Sequence, residues 1–219
     1  MKKLVFLILP FLLFPTFSSL SWAGGQSIIP DYKTARDKFL WKKLYTDGGT
    51  SLYCNIVFDP GGKLTGEHVY SASWIATHHG CPNRDECEAV DYKRAEADLH
   101  NLWPALGNIN SSRGNLPFAE IPGEDQRKKQ DLGCDDYERT SGSGAVVEPQ
   151  DSVKGEIARS LFYMHTEYGL PLRGMKKMLK KWNRQDEPDE LEHWRNDLIE
   201  ELQGTRNPFI DNFHRGNEL

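Results

Sequence analysis

The chain has 219 residues, a formal net charge of −5 and 38% hydrophobic residues. That length suits one domain with a real core. The acidic balance excludes a uniformly basic nucleic-acid-binding surface. A polyanionic substrate would require the basic residues to be gathered on one face.

Residues 1–23 read as a secretory signal peptide. Lys2 and Lys3 head an almost wholly apolar run, Leu4 to Phe14, and Ser21-Trp22-Ala23 supplies the cleavage site. The run is shorter than the ~20 residues that span a bilayer, and Pro10 and Pro15 interrupt it. No second long apolar run follows, so the mature protein, periplasmic or secreted, is expected to be soluble and free of the membrane. Residues 24–219 then form one domain of 196 residues (219 − 23), and loss of Lys2 and Lys3 takes the net charge from −5 to −7.

Spacing predicts a helix from Tyr32 to Tyr45, ended by Gly48-Gly49. Alternation predicts a strand from Leu52 to Phe58. After the turn Pro60-Gly61-Gly62 comes a short strand from Thr65 to Tyr70. It carries Glu67 next to His68. Adjacent residues of a strand face opposite ways, so both can serve one site only where the strand bends or frays. Gly66 permits that. Trp74 to Tyr92 reads as a long loop, Lys93 to Asp98 as a helical turn and His100 to Pro104 as a second strand. Ile109 to Phe118 reads as a short helix limited by Pro117, and Gly123 to Gly144 as an irregular polar surface loop.

Three helices follow. Asp151 is expected to cap the first, which runs to Tyr168 and stops at Gly169. Leu172 to Trp182 is the second and has a basic surface: Arg173, Lys176, Lys177, Lys180 and Lys181. Asp189 to Leu202 is the third, with Leu191, Trp194, Leu198, Ile199 and Leu202 inward.

The four cysteines all lie in the mature part, which reads as two disulfides with three pairings open. A short closure, Cys81–Cys87, and a long one, Cys54–Cys134, are expected. The rival is a zinc site of Cys81 and Cys87 with His78 or His79, although the spacing departs from common zinc knuckles.

Glu67, His68 and a later Asn-rich turn bring a carboxylate, an imidazole and an amide oxygen to one place. That is a hard, oxygen-rich set for Mg²⁺ with a base beside it. The chain resembles the endonuclease I family of bacterial periplasmic and secreted non-specific nucleases. The resemblance spans Lys43-Leu44-Tyr45, Leu52-Tyr53-Cys54, Gly66-Glu67-His68-Val69 with Trp74, and Asp98-Leu99-His100-Asn101-Leu102. It continues through Asn110, Arg113-Gly114-Asn115, the run Lys154 to Arg159, Phe162-Tyr163-Met164 and the run Arg206 to Asp211. The chain departs from the family where Tyr70-Ser71-Ala72-Ser73 separates the His from the Trp.

The resemblance implies an α+β, mainly helical domain around a ββα-metal core. It implies an Mg²⁺-dependent endonuclease, monomeric, cutting DNA, with RNA as the alternative substrate, without sequence preference to leave 5′-phosphate ends. His68 would be the general base. Glu67 and Asn110 would hold one Mg²⁺, with Asn115 as the alternative amide. Arg84, inside the Cys81/Cys87 loop, would contact the scissile phosphate, with Arg113 as the other candidate. The competing classes are a zinc hydrolase on His78, His79, Cys81 and Cys87, and a disulfide-bonded secreted binding protein without activity.

Overall fold

A computed structural model describes residues 24–123, 134 and 136–219. Residues 1–23, expected to be a signal peptide, and most of the polar loop with Arg127, Lys128 and Lys129, lie outside the described residues. Among those described, no helix is long and apolar enough to cross a membrane.

The centre is helix α5 (Lys154–Tyr168), whose Ile157, Ala158, Leu161, Phe162 and Met164 are fully buried. Gly169 ends it in the left-handed conformation that glycine adopts without penalty. Asp151 does not cap α5. It lies in a 3₁₀ turn, Asp151–Val153, and its carboxylate takes a hydrogen bond from Lys154 Nζ instead. Gly155 is required by packing, since a Cβ there would lie 2.1 Å from the Asp186 carbonyl oxygen.

Against α5 stands a two-stranded antiparallel sheet, β3 (Leu64–His68) with β4 (Leu102–Leu106), in register Glu67↔Trp103 and His68↔Leu102. The β4 chain is fixed to α5 through Ser160. Its hydroxyl donates to the His100 carbonyl at 3.0 Å and accepts from Trp103 Nε1 at 3.1 Å. Helix α4 (Gly107–Arg113) follows β4 directly and packs on both strands. The result is strand, strand, helix, embedded in a mixed α+β domain.

The expected first helix forms, as one α-turn, α1 (Tyr32–Thr34), continued as a π-helix, Ala35–Leu44. It crosses β3 closely. Gly66 is there for that contact, because a Cβ would meet the Tyr32 hydroxyl at 3.1 Å and Leu40 at 3.2 Å. The strand expected over 52–58 is absent. Asn55 takes a left-handed φ of 49°, and its N–H bonds back to the Ser51 carbonyl, closing a turn. Only β1 (Gly49–Thr50) and β2 (Val57–Phe58) pair around it.

The long loop after β3 is also two helices in part, α2 (Ala72–His78) and α3 (Val90–Glu96). Trp74, Ile75 and Ala76 of α2 are buried, and that packing outweighs the turn-forming composition. Helices α6 (Lys176–Gln185), α7 (Glu190–Gln203) and α8 (Pro208–Asp211) cover the rest of α5. Beyond the polar loop, β5 (Glu138–Arg139) pairs with β6 (Val147–Glu148).

Helix α7 departs from expectation at its N-terminal half; Ile199 is buried, and Leu198 and Leu202 pack on the core as expected. Leu191 and Trp194 are each 47% exposed, whereas Glu192, Arg195, Asn196, Ile199 and Gln203 point inward. The inner face recurs at helical spacing, but four of its five members are polar. Glu192 pairs with Arg159. Arg195 donates to the carbonyls of Leu99 and Leu102, and Asn196 holds the backbone of Asn207. Satisfied buried polar groups outweigh the gain from burying Leu191 and Trp194.

Both disulfides form as expected, Cys54–Cys134 and Cys81–Cys87. The first ties the distal part of the polar loop to the turn that carries Tyr53. Cys54→Ser with Cys134→Ser removes this closure, whose residues lie 80 apart in sequence. The expected cost is about 2–5 kcal/mol, or a fall in Tm of about 4–20 °C for a chain of this size. Calorimetry checks it, and an unchanged Tm would refute the structural role.

The Glu156 carboxyl is pushed up to about 10 by burial and by the neighbouring Glu192 and Asp186 carboxylates. It is therefore protonated in the fold across neutral pH. A raised carboxyl pKa means that folding favours the protonated form. Its contribution is complete below the unfolded value, near 4.3, and is lost as pH rises toward the folded value. Glu156→Gln, which keeps a donor without the titration, should raise Tm at pH 9 relative to the parent and do little at pH 4. A variant less stable at both pH values would contradict this.

Candidate active site

Strand β3 delivers Glu67 and His68 to the floor of a cavity of about 400 Å³, and α4 delivers Asn110 and Arg113 to its wall. Arg84 reaches it from the Cys81–Cys87 loop. The strand frays where the adjacent pair requires it. Pairing stops at His68, and the next residues bond instead to Asn101: Val69 N–H to its carbonyl and Tyr70 N–H to its side-chain Oδ1. Asn101 is thus structural.

Glu67 is 2% exposed. Its Oε1 accepts from the Tyr53 hydroxyl at 2.7 Å and from Arg113 Nη1 at 3.1 Å; Oε2 receives neither. Burial pushes the carboxyl above its usual range, opposed by the Arg113 charge and the Tyr53 hydrogen bond. A cation at the cavity face would reverse that balance.

His68 Nε2 lies 2.9 Å from the Glu96 carbonyl oxygen. A carbonyl only accepts, so Nε2 carries the proton and Nδ1 keeps the lone pair. Burial, and secondarily the Arg84 charge, pull the imidazole down to about 3. It is neutral, and able to take a proton, over the whole physiological range. The Tyr32 ring packs at 4.5 Å and holds the imidazole in place.

Asn110 Nδ2 donates to Thr65 Oγ1 at 2.9 Å. That bond fixes which end of the amide is which and leaves Oδ1 for another ligand. Asn115 is exposed and does not line the cavity.

Arg113 is 1% exposed. It donates to Glu67 and to the carbonyls of His68, Val69 and Gly114. It anchors the site from beneath through both terminal nitrogens, Nη1 and Nη2. Arg84 Nη2 pairs with Glu96 Oε1 at 3.0 Å, and its side chain is 40% exposed at the cavity rim. One residue, Glu96, therefore holds His68 by its carbonyl and Arg84 by its carboxylate.

The zinc arrangement is not formed. Cys81 and Cys87 are bonded to each other. Among the described residues no three His, Cys, Asp or Glu side chains gather as a metal-holding group. One carboxylate and one amide oxygen instead suit a hard divalent ion that keeps most of its waters, as Mg²⁺ does.

Residues to which the sequence assigned no role are Tyr53, which orients Glu67, Tyr32, which backs His68, and Glu96. No spacing marks them, since each arrives from a different segment.

A family model, Endonuclease I, matches residues 18–214. The chain belongs to the Endonuclease I family. It is accordingly a nuclease, an enzyme that hydrolyses phosphodiester bonds. It is 37% identical over 197 residues to a periplasmic deoxyribonuclease of Aeromonas hydrophila, covering 77% of this chain and 81% of that protein. It is 34% identical over 197 residues to an extracellular deoxyribonuclease of the same organism, covering 77% and 84%. It is also 35% identical over 180 residues to an extracellular ribonuclease of Bacillus subtilis, covering 72% of this chain and 54% of that protein.

Proposed function

We propose that this Endonuclease I protein is exported and cuts DNA, and also RNA, without sequence preference, as a monomer, using one Mg²⁺ held by Glu67 and Asn110. The observation that carries the reading is the convergence of Glu67, His68, Asn110 and Arg84 on one cavity. Relatives named as deoxyribonucleases and as a ribonuclease support both substrates. Their extracellular and periplasmic names, with two formed disulfides, support export.

His68 Nδ1 takes a proton from a water as that water attacks phosphorus. The bond from phosphorus to the 3′ oxygen breaks and that oxygen takes a proton from solvent water, so the products carry 5′-phosphate and 3′-hydroxyl ends, and His68 returns its proton to solvent. Arg84 pairs with a non-bridging oxygen of the phosphate, steadied by Glu96. The ion, when bound, supplies charge stabilisation at the phosphate and the leaving oxygen. Contacts confined to phosphate and sugar carry no sequence information.

The ends provide the test. Fragments from a digest should be ligated directly by DNA ligase, without prior kinase or phosphatase treatment. Fragments that ligate only after end repair would exclude this chemistry.

A further inference from the structure

The mature chain carries net negative charge, yet one helix concentrates positive charge. Helix α6 holds Lys176, Lys177, Lys180, Lys181 and Arg184 and no acidic residue. Three basic groups near its end have local duties. Lys180 donates to the carbonyls of Asn217 and Leu219, Lys181 pairs with Glu120, and Arg184 donates to Asn217 Oδ1. Arg173, Lys176 and Lys177 are exposed and have no carboxylate partner among the described residues.

Arg173 is also held out of the ordinary. Its φ is 50°, a left-handed conformation that a non-glycine residue adopts at a cost, and one that clusters at functional positions. Two contacts tie its segment to the residues that follow β3. The Tyr70 hydroxyl, two residues beyond His68, donates to the Pro171 carbonyl at 3.0 Å. The Arg173 guanidinium carbon stands 4.7 Å from the centre of the Trp74 ring, and that of Arg113 stands 5.2 Å from the same centre. The two distances bound their separation at 9.9 Å (4.7 + 5.2). Arg113 in turn bonds Glu67. Successive nucleotides advance about 3.4 Å along a strand, so the separation of Arg173 from the residue that anchors Glu67 spans about three nucleotides at most.

We infer that Arg173, Lys176 and Lys177 form a phosphate-binding ridge that receives the DNA backbone flanking the scissile bond. The inference rests on the nuclease reading above and extends it from the cleaved bond to the path of the duplex. The ridge contributes affinity that is blind to sequence, and it answers how an acidic protein holds a polyanion.

The test is a salt titration of duplex binding, with His68→Ala as the non-cleaving background. Each phosphate contact contributes about 0.9 to the slope of log affinity against log salt. Adding Arg173→Ala, Lys176→Ala and Lys177→Ala should flatten the slope by about 2–3, with affinity about tenfold or more lower at moderate salt. Because Arg173 packs on Trp74, the exposed pair Lys176→Ala and Lys177→Ala is measured separately. It should flatten the slope by about 2. An unchanged slope in both variants overturns the ridge. The nuclease reading would survive that result, because plasmid cleavage by the parent protein tests it independently.

Discussion

His68→Ala should lose about 10²–10⁴-fold in kcat while the protein stays folded, the range that general base catalysis contributes. The imidazole makes one hydrogen bond, to a backbone carbonyl, and one ring contact, so its removal leaves no charge stranded. Circular dichroism and Tm should match the parent closely enough to assign the loss to chemistry. The pH dependence follows from the same geometry. Because burial holds the imidazole down to about 3, the base is not the group that limits activity as pH falls from 7 to 5. A folded His68→Ala protein that turns over at the parent rate would remove His68 from the mechanism.

The second large effect is expected at the candidate ion site. Glu67→Gln and Asn110→Ala should each lower activity and raise the Mg²⁺ concentration needed for half-maximal rate. Asn115→Ala should resemble the parent, since its side chain lies outside the cavity. Glu67→Ala should also destabilise, because it strips the countercharge from a buried guanidinium. Breaking such a pair from one side costs about 3–5 kcal/mol. Glu67→Gln also removes the charge but keeps an acceptor for Tyr53 and Arg113, so it should destabilise less than Glu67→Ala, and its Tm measured beside its Mg²⁺ dependence separates loss of ion binding from loss of fold. Rates for Glu67→Gln that match the parent at low Mg²⁺ would contradict the assignment, as would an inactive Asn115→Ala beside an active Asn110→Ala.

Much of this site was legible in the chain because its parts are local. Glu67 and His68 are neighbours, and Asn110 lies on the helix that leaves the partner strand directly. The disulfide pairing was legible because a short and a long closure were the simplest pairing. What was not legible came from burial of polar groups and from segments distant in sequence. Tyr53 reaches Glu67 only because Asn55 breaks the expected strand into a turn. The inner face of α7 is polar, so a hydrophobic pattern placed Leu191 and Trp194 on the wrong side. Gly66 was read as freedom for the strand to bend, whereas it makes room for Tyr32. The two paired strands and the helix after them were expected with small errors at their ends. The second strand starts at Leu102 rather than His100, because Asp98 accepts the His100 N–H and holds Leu99–Asn101 in a 3₁₀ turn.

Supercoiled plasmid incubated with the purified, disulfide-bonded mature chain tests the proposed dependence of phosphodiester hydrolysis on one hard divalent ion. With Mg²⁺ the plasmid should be nicked and then degraded, EDTA should stop the reaction, and added Mg²⁺ should restore it. Cleavage that persists in EDTA, or that only Zn²⁺ restores, or no cleavage by folded protein in Mg²⁺, would contradict the account.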